Sequence, residues 1–298
     1  MTPDLSIIIP AVNGLEILIE CLAALRRNAA DDLTLEILVI ERCGEEVRRA
    51  LASRAPDVLV LPVPPQTTIP EMRAIGFQQA RGAAIAVIED HILVPPDWAR
   101  QIQRALATGA AVVGGSVYNA ATTTTVDWAA FLCEYSHLLS PKAGRDVERL
   151  TGNNVAYRRE LVERYLALLG AGEWEDYVHD ALRRDGIALM CAPEIAVGHK
   201  MHYRMKDYLS QRYLYSRAFA GGAAARLTVF QRALGLVRSA VLPPVLFARV
   251  IGRVWASQRY RRELLKSLPL LAVFVCAWAA GEAVGYATGP GDALARVR

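Results

Sequence analysis

The sequence predicts an α/β fold: a mainly parallel sheet with flanking helices, followed by membrane-associated helices. Three observations predict it. Short apolar runs alternate with amphipathic stretches through the first hundred residues of the 298-residue chain, the pattern of a parallel sheet covered on both faces. Polar clusters follow three of those runs, at Asn13, Glu41-Arg42 and Glu89-Asp90-His91. The chain turns basic from residue 200 and apolar after about residue 230. A globular domain is therefore expected over 1–225 and a helical membrane-associated segment over 226–298.

Leu5–Pro10 is an apolar run closed by Pro10 and followed by Asn13-Gly14, a strand that ends in a loop. Residues 15–28 carry leucines at helical spacing. Leu35–Ile40 reads as a second strand, Glu45–Arg54 as a helix and Val58–Val63 as a third strand. Pro70–Ala80 is a helix with proline at its start. Ala84–Ile88 is a fourth strand running into Glu89-Asp90-His91, and 110–118 a fifth. Residues 120–150 read as a mixed, mobile connection, 158–170 and 175–185 as helices, and Ile187–Cys191 and Ile195–Val197 as short strands. Sheets of this kind bind ligands beyond the carboxyl ends of their strands. All three polar clusters fall there, which is the strongest physical pointer to a site.

Composition narrows the setting. The hydrophobic fraction, 53%, exceeds that of an ordinary soluble domain. Residues 1–199 carry 18 Lys/Arg against 26 Asp/Glu, a net of −8. Residues 200–266 carry 14 against only Asp207 and Glu263, a net of +12. An acidic body with a basic, apolar tail suits anionic lipid or phosphate. Nucleic acid is not expected, because no recognition motif accompanies the charge. The five cysteines are scattered without a CxxC pair, which suits a reducing compartment. MTPDLSIIIP lacks the basic start and long apolar core of a signal peptide. The expected location is the cytoplasmic face of the cell membrane, with the C-terminal segment as anchor.

Glu89-Asp90-His91 sits between the strand AIAVI and the turn ILVPPDW. Carboxylates there can hold a hard cation or form a solvated acidic turn. SIIIPAVN, EILVIERCGEE, EMRAIGFQQARG, VIEDHILVPPDW, TGNNVAYRRE, WEDYVHDALRRDG and PEIAVGH occur in this order. Together they resemble the membrane-associated, bacterial-type family 2 glycosyltransferases of GT-A fold, over roughly residues 4–220. The resemblance implies inverting transfer from a UDP-, GDP- or TDP-sugar to a lipid-linked or glycan acceptor, with Mg²⁺ or Mn²⁺.

Residue by residue, the resemblance sets Pro10, Ala11 and Asn13 against the nucleotide. Glu41 stands where the family has a base-contacting aspartate, and Arg42-Cys43-Gly44 departs from the usual continuation. Arg73 matches a helix arginine near the diphosphate. Glu89-Asp90-His91 replaces the metal-binding DXD motif, with Asp90 the first candidate ligand and His91 the second; Glu89 is left for the ribose or sugar. His199 matches a histidine that completes the metal shell. The family's catalytic base lies in the segment of Glu175 and Asp176, with Glu175 favoured by its distance from Gly186. Asn153 and Asn154 match an acceptor-side loop before a helix entry at Ala156-Tyr157. Arg212 and Arg217, in KDYLSQRYLYSR, face diphosphate, lipid phosphate or anionic headgroups.

Leu268–Tyr286 is apolar except for Glu282 and is preceded by Arg259, Arg261, Arg262 and Lys266. Its length just spans a bilayer, with the basic flank on the cytoplasmic side. The stretch 233–256 holds Arg238, Arg249, Arg253 and Pro243-Pro244 and reads as an interfacial or broken helix. The alternative is that both segments cover the domain or form a dimer interface. Two rival functions stand beside the transferase: a family member that has lost turnover and acts as a binding or scaffold protein, fed by Glu41, Arg42 and His91, and a nucleotidyltransferase, opposed by the absence of a Gly-rich basic loop at Ile9–Asn13.

Overall fold

The computed structural model describes residues 2–28, 33–139, 144–145 and 147–297. They gather into two compact units, one of Met1–Tyr118 with Pro141–Lys200 and one of Asn119–Ser140 with Met201–Arg298.

The first unit opens with β1 (Leu5–Ala11), α1 (Leu15–Arg26), β2 (Leu35–Glu41), α2 (Glu45–Arg54), β3 (Leu59–Pro62), α3 (Ile69–Gln79) and β4 (Ala84–Ile88). β5 (Ile92–Leu93), α4 (Trp98–Ala107), β6 (Val112–Gly114) and β7 (Val117–Asn119) follow. The chain then forms α5 (Thr125–Tyr135) of the second unit. It returns through β8 (Gly144–Arg145), β9 (Asn154–Arg158), α6 (Arg159–Arg164), α7 (Leu166–Leu169), α8 (Glu175–Arg184), β10 (Leu189–Cys191) and β11 (Val197–His199).

Among the described residues the main sheet has eight strands in the order β3-β2-β1-β4-β9-β6-β10-β8. β1 pairs parallel with both β2 and β4, and β2 with β3. The expected parallel core is present because β1 and β4 are buried along their whole length and cannot alternate with polar residues. Helix α3 lies tight on β1: a Cβ on Gly76 would fall 2.4 Å from Cγ2 of Ile8. Thr68 begins α3 with a capping box to Glu71 and places Pro70 in its first turn.

Several elements differ from the sequence reading. The single strand over 110–118 is two, β6 and β7, parted where Gly115 meets the backbone of Ala192 and Ile195. Ala156-Tyr157 is strand rather than helix entry: β9 runs antiparallel between β4 and β6, and the helix expected over 158–170 is reduced to α6 and α7. Within 120–150 lies a regular helix, α5, fixed by a capping box from Thr124 to Asp127; residues 140–143 and 146 of that stretch lie outside the described residues. The stretch 233–256 is unbroken helix, since Pro243 and Pro244 remove only two adjacent N–H donors from a 29-residue ladder.

The second unit is helical: α5, α9 (Met205–Ala224), α10 (Val229–Ser257), α11 (Arg261–Thr288) and α12 (Ala293–Arg296). Helices α9 and α11 approach closely where Gly281 and Gly285 stand. A Cβ on Gly281 would sit 2.2 Å from the Tyr213 carbonyl oxygen, and one on Gly285 2.7 Å from that of Arg217. By length and composition, α10 and α11 are each able to cross a membrane, with mean hydropathies of 1.6 and 1.8 in their most apolar windows.

Candidate active site

Glu89, Asp90 and His91 leave the carboxyl end of β4. The antiparallel pairing of β4 with β9 sets Ile88 opposite Asn154, so the loop of residues 151–153 lies beside Glu89. The pairing of β5 with β11 sets His199 opposite Ile92 and so carries it across to His91. Sheet register thus joins segments more than a hundred residues apart.

Glu89, His91 and His199 each direct one ligand atom to a shared space, all within 4.8 Å of one another. The two imidazoles meet edge-on with Nε2 atoms 3.0 Å apart. Nε2 of His91 is 3.3 Å from Glu89 Oε2. Burial opposes a charge on His91, but the hydrogen-bonded carboxylates of Asp90 and Glu89 outweigh it and push its pKa up to about 10. Burial and then the charge on His91 push His199 down to about 3. Nε2 of His91 thus faces both His199 and Glu89. Glu89 is held down at about 2: burial works against its charge, and His91, Arg73 and His199 prevail. One carboxylate and two imidazoles, buried and convergent, suit a divalent transition cation such as Mn²⁺ better than Mg²⁺.

Asp90, ranked first as a ligand on sequence, is engaged elsewhere. Its Oδ2 accepts the Val12 and Asn13 backbone N–H groups at 2.7 and 2.8 Å. Its Oδ1 accepts Asn13 Nδ2 at 2.8 Å and faces His91 Nδ1 at 3.0 Å. It ties the β1–α1 loop down and orients His91. Glu89 takes its place in the convergent trio.

Arg73 joins this cluster to Glu175. Its Nη1 donates to Glu175 Oε2 in a very short contact, and Nη2 lies 3.5 Å from Glu89 Oε1. The guanidinium stands 5.8 Å from the ring centre of Trp174. Gly152 makes room: a Cβ there would lie 2.4 Å from Glu175 Cδ and 2.7 Å from Arg73 Nη1. A pocket walled by Phe77, Val87, Val155, Leu169 and Val178 also reaches Arg73 and Glu175. Its apolar wall strengthens their mutual attraction. Asp176 instead meets the exposed Arg149 at 3.1 Å, and burial, then the neighbouring Glu175, raises its carboxyl above the usual range.

The remaining expected residues divide. Asn153 donates to Glu89 Oε2 at 3.3 Å and accepts from Thr151. Asn154 accepts from Trp98 Nε1 and donates to the Ser116 and Ile195 carbonyls, so its amide is occupied by the fold. Pro10 and Ala11 end β1 beside Glu41. Glu41 is fully buried and accepts from the Gly44 N–H at 2.6 Å and from Arg48 at 3.0 Å. Arg212 and Arg217 belong to the second unit. Arg212 lies 3.5 Å from Glu134 and 4.2 Å over the Trp278 ring, while Arg217 donates to the Gly289 carbonyl at the end of α11. Sequence reading missed Gly152 and Trp174 as part of the site, and missed the pairing of Arg73 with Glu175. The one available signal was a glycine at the start of a segment that already held two asparagines.

The profile of glycosyl transferase family 2 matches residues 6–166. No curated protein matches the chain. Among solved structures, a mannosyltransferase, PcManGT, from Pyrobaculum calidifontis in complex with GDP-Man and Mn²⁺ is similar with a TM-score of 0.57 at 15% identity, over 95% of this chain and 87% of its own. S. aureus TarS, residues 1–349, is similar with a TM-score of 0.52 at 10% identity, over 90% of this chain and 89% of its own. At these identities the likeness is one of fold.

Proposed function

The chain belongs to glycosyl transferase family 2, and from that premise we propose that it is an inverting, metal-dependent glycosyltransferase acting on a membrane-proximal acceptor. Its catalytic part is residues 1–225 and its anchor 226–298. The observation that carries this reading is the convergence of Glu89, His91 and His199 at a strand end, one residue contact away from the Arg73–Glu175 pair.

Glu89, His91 and His199 would hold the divalent cation, Mn²⁺ in preference to Mg²⁺. When bound, such a cation offsets the charge of the departing diphosphate. Pro10, Ala11 and Asn13 lie against the nucleotide, in a loop that Asp90 pins. Arg73 faces the diphosphate, and Asn153 meets sugar or acceptor hydroxyls. Glu175 takes the proton of the acceptor hydroxyl. The acceptor oxygen forms its bond to the anomeric carbon from the face opposite the diphosphate. The bond from that carbon to the phosphate oxygen breaks, and its electron pair leaves with the nucleoside diphosphate. A mannosyltransferase of the same fold that holds GDP-Man and Mn²⁺ supports a nucleotide-sugar donor here. The acceptor is lipid-linked or a growing glycan, which the apolar, basic tail supports.

The test is donor turnover by full-length protein in detergent, with Mn²⁺ and a panel of UDP-, GDP- and TDP-sugars. One donor should be turned over, and Glu175→Gln should slow it by about 10²-fold or more. Donor bound but not turned over by the wild type, with or without glycan acceptors, would support the degenerate binding protein instead.

A further inference from the structure

We infer that Arg73 is a shared cation that restrains Glu175 in the donor-free protein and releases it on exchanging partners with the donor diphosphate. The inference rests on the reading of Glu175 as base and of the histidine–carboxylate trio as the diphosphate side of the site.

The guanidinium meets carboxylates on different arms, Glu175 at Nη1 and Glu89 at Nη2. It is almost wholly buried, beside Phe77, Val87 and Val155. A guanidinium does not lose its charge, so in such surroundings it must keep anionic partners. Those partners include Glu175, read here as the base, and Glu89, read as a metal ligand. Once a cation sits among Glu89, His91 and His199, the charge of Glu89 is committed to it. A diphosphate held there would supply anionic oxygens of the kind that a guanidinium pairs with best. Nη1 is drawn from Glu175, and the carboxylate gains a free oxygen for the acceptor proton. The site is built for this exchange: Gly152 leaves no side chain between Glu175 and Arg73, and Trp174 offers its ring to the same guanidinium. The base is thereby released as the donor binds.

The exchange makes Glu175 and the diphosphate competitors for one cation. Removing the charge of Glu175 should therefore tighten diphosphate binding, the reverse of what loss of a supporting residue does. Calorimetric titration of full-length protein in detergent with UDP and with GDP, in the presence of Mn²⁺, tests this. Glu175→Gln should bind the preferred nucleoside diphosphate about fivefold or more tightly than wild type. The gain should vanish in an Arg73→Gln background and persist in part with Arg73→Lys, the variant that carries the test if Arg73→Gln does not fold. Trp174 fluorescence should change on nucleotide binding in wild type and much less in Glu175→Gln. An unchanged or weakened affinity in Glu175→Gln, a gain independent of Arg73, or no binding of either nucleotide by wild type would overturn the inference. Donor turnover separates this from the function itself: if Glu175→Gln keeps full turnover, the base is misassigned whatever the binding cycle reads.

Discussion

Glu89 turns its carboxylate toward His91 and His199, whereas Asp90 gives both oxygens to the β1–α1 loop and to His91 Nδ1. Neighbours in the chain should therefore fail differently. Glu89→Ala should abolish Mn²⁺ binding by calorimetry. Asp90→Asn should weaken it by about 10- to 100-fold, as for a residue that orients a ligand, and should speed hydrogen exchange at Val12 and Asn13. Asp176 pairs with a surface arginine, so Asp176→Asn should leave turnover within a few-fold of wild type; a loss equal to that of Glu175→Gln would shift the base by one residue. One turn after Glu175 on α8, His179 is fully buried and its Nε2 meets the Tyr157 hydroxyl at 2.9 Å. Burial drives its pKa down to about 4; Glu175 and Asp180 resist that shift, and Arg73 and Arg149 add to it. The unfolded state therefore takes up the proton first. Stability is intact above about pH 6.5, falls as the pH drops toward 4, and loses no more from this group below that. The pH dependence of urea unfolding across that window should flatten in His179→Gln.

At the scale of elements, strand ends were legible in the sequence and pairing partners were not. β1, β2, α2, α3 and β4 emerge close to their expected bounds, because apolar runs and a proline at a helix start are local signals. β9 did not emerge. NVAYR has no alternation to betray a strand buried on both faces, and its antiparallel place between β4 and β6 is a long-range property. The same register sets the 151–153 loop against Glu89 and so underlies the site. Asn13, Glu89, His91, His199, Arg73 and Glu175 were legible as residues. That Arg73 would bridge two of them, and that Asp90 would face the loop, depended on side-chain packing. The tail shows a similar limit: Leu268–Tyr286 was legible as an apolar run, but not the helix that Gly281 and Gly285 admit. Gly281→Leu should force α9 and α11 apart and cost about 1–3 kcal/mol or more, seen as a lower melting temperature in detergent. Gly222→Ala, on α9 with open space around it, should be neutral or mildly stabilising.

For the whole molecule, an acidic sheet-based unit and a basic helical unit are joined in one chain. Helix α10 exposes Val229, Phe230, Val237 and Val241, surface that water does not favour. Full-length protein should sediment with membranes and resist a high-salt wash, and Val237→Asp with Val241→Asp should weaken that retention. The central claim is that one metal-dependent donor site is built from Glu89, His91 and His199. The most direct measurement is thermal stabilisation of full-length protein by a panel of nucleotide sugars with and without Mn²⁺, in wild type, Glu89→Ala and His199→Ala. The account predicts that one class of nucleotide sugar stabilises the wild type only with Mn²⁺, and that both variants lose the effect while melting normally without ligand. Stabilisation that needs no metal, or that survives in both variants, would contradict it.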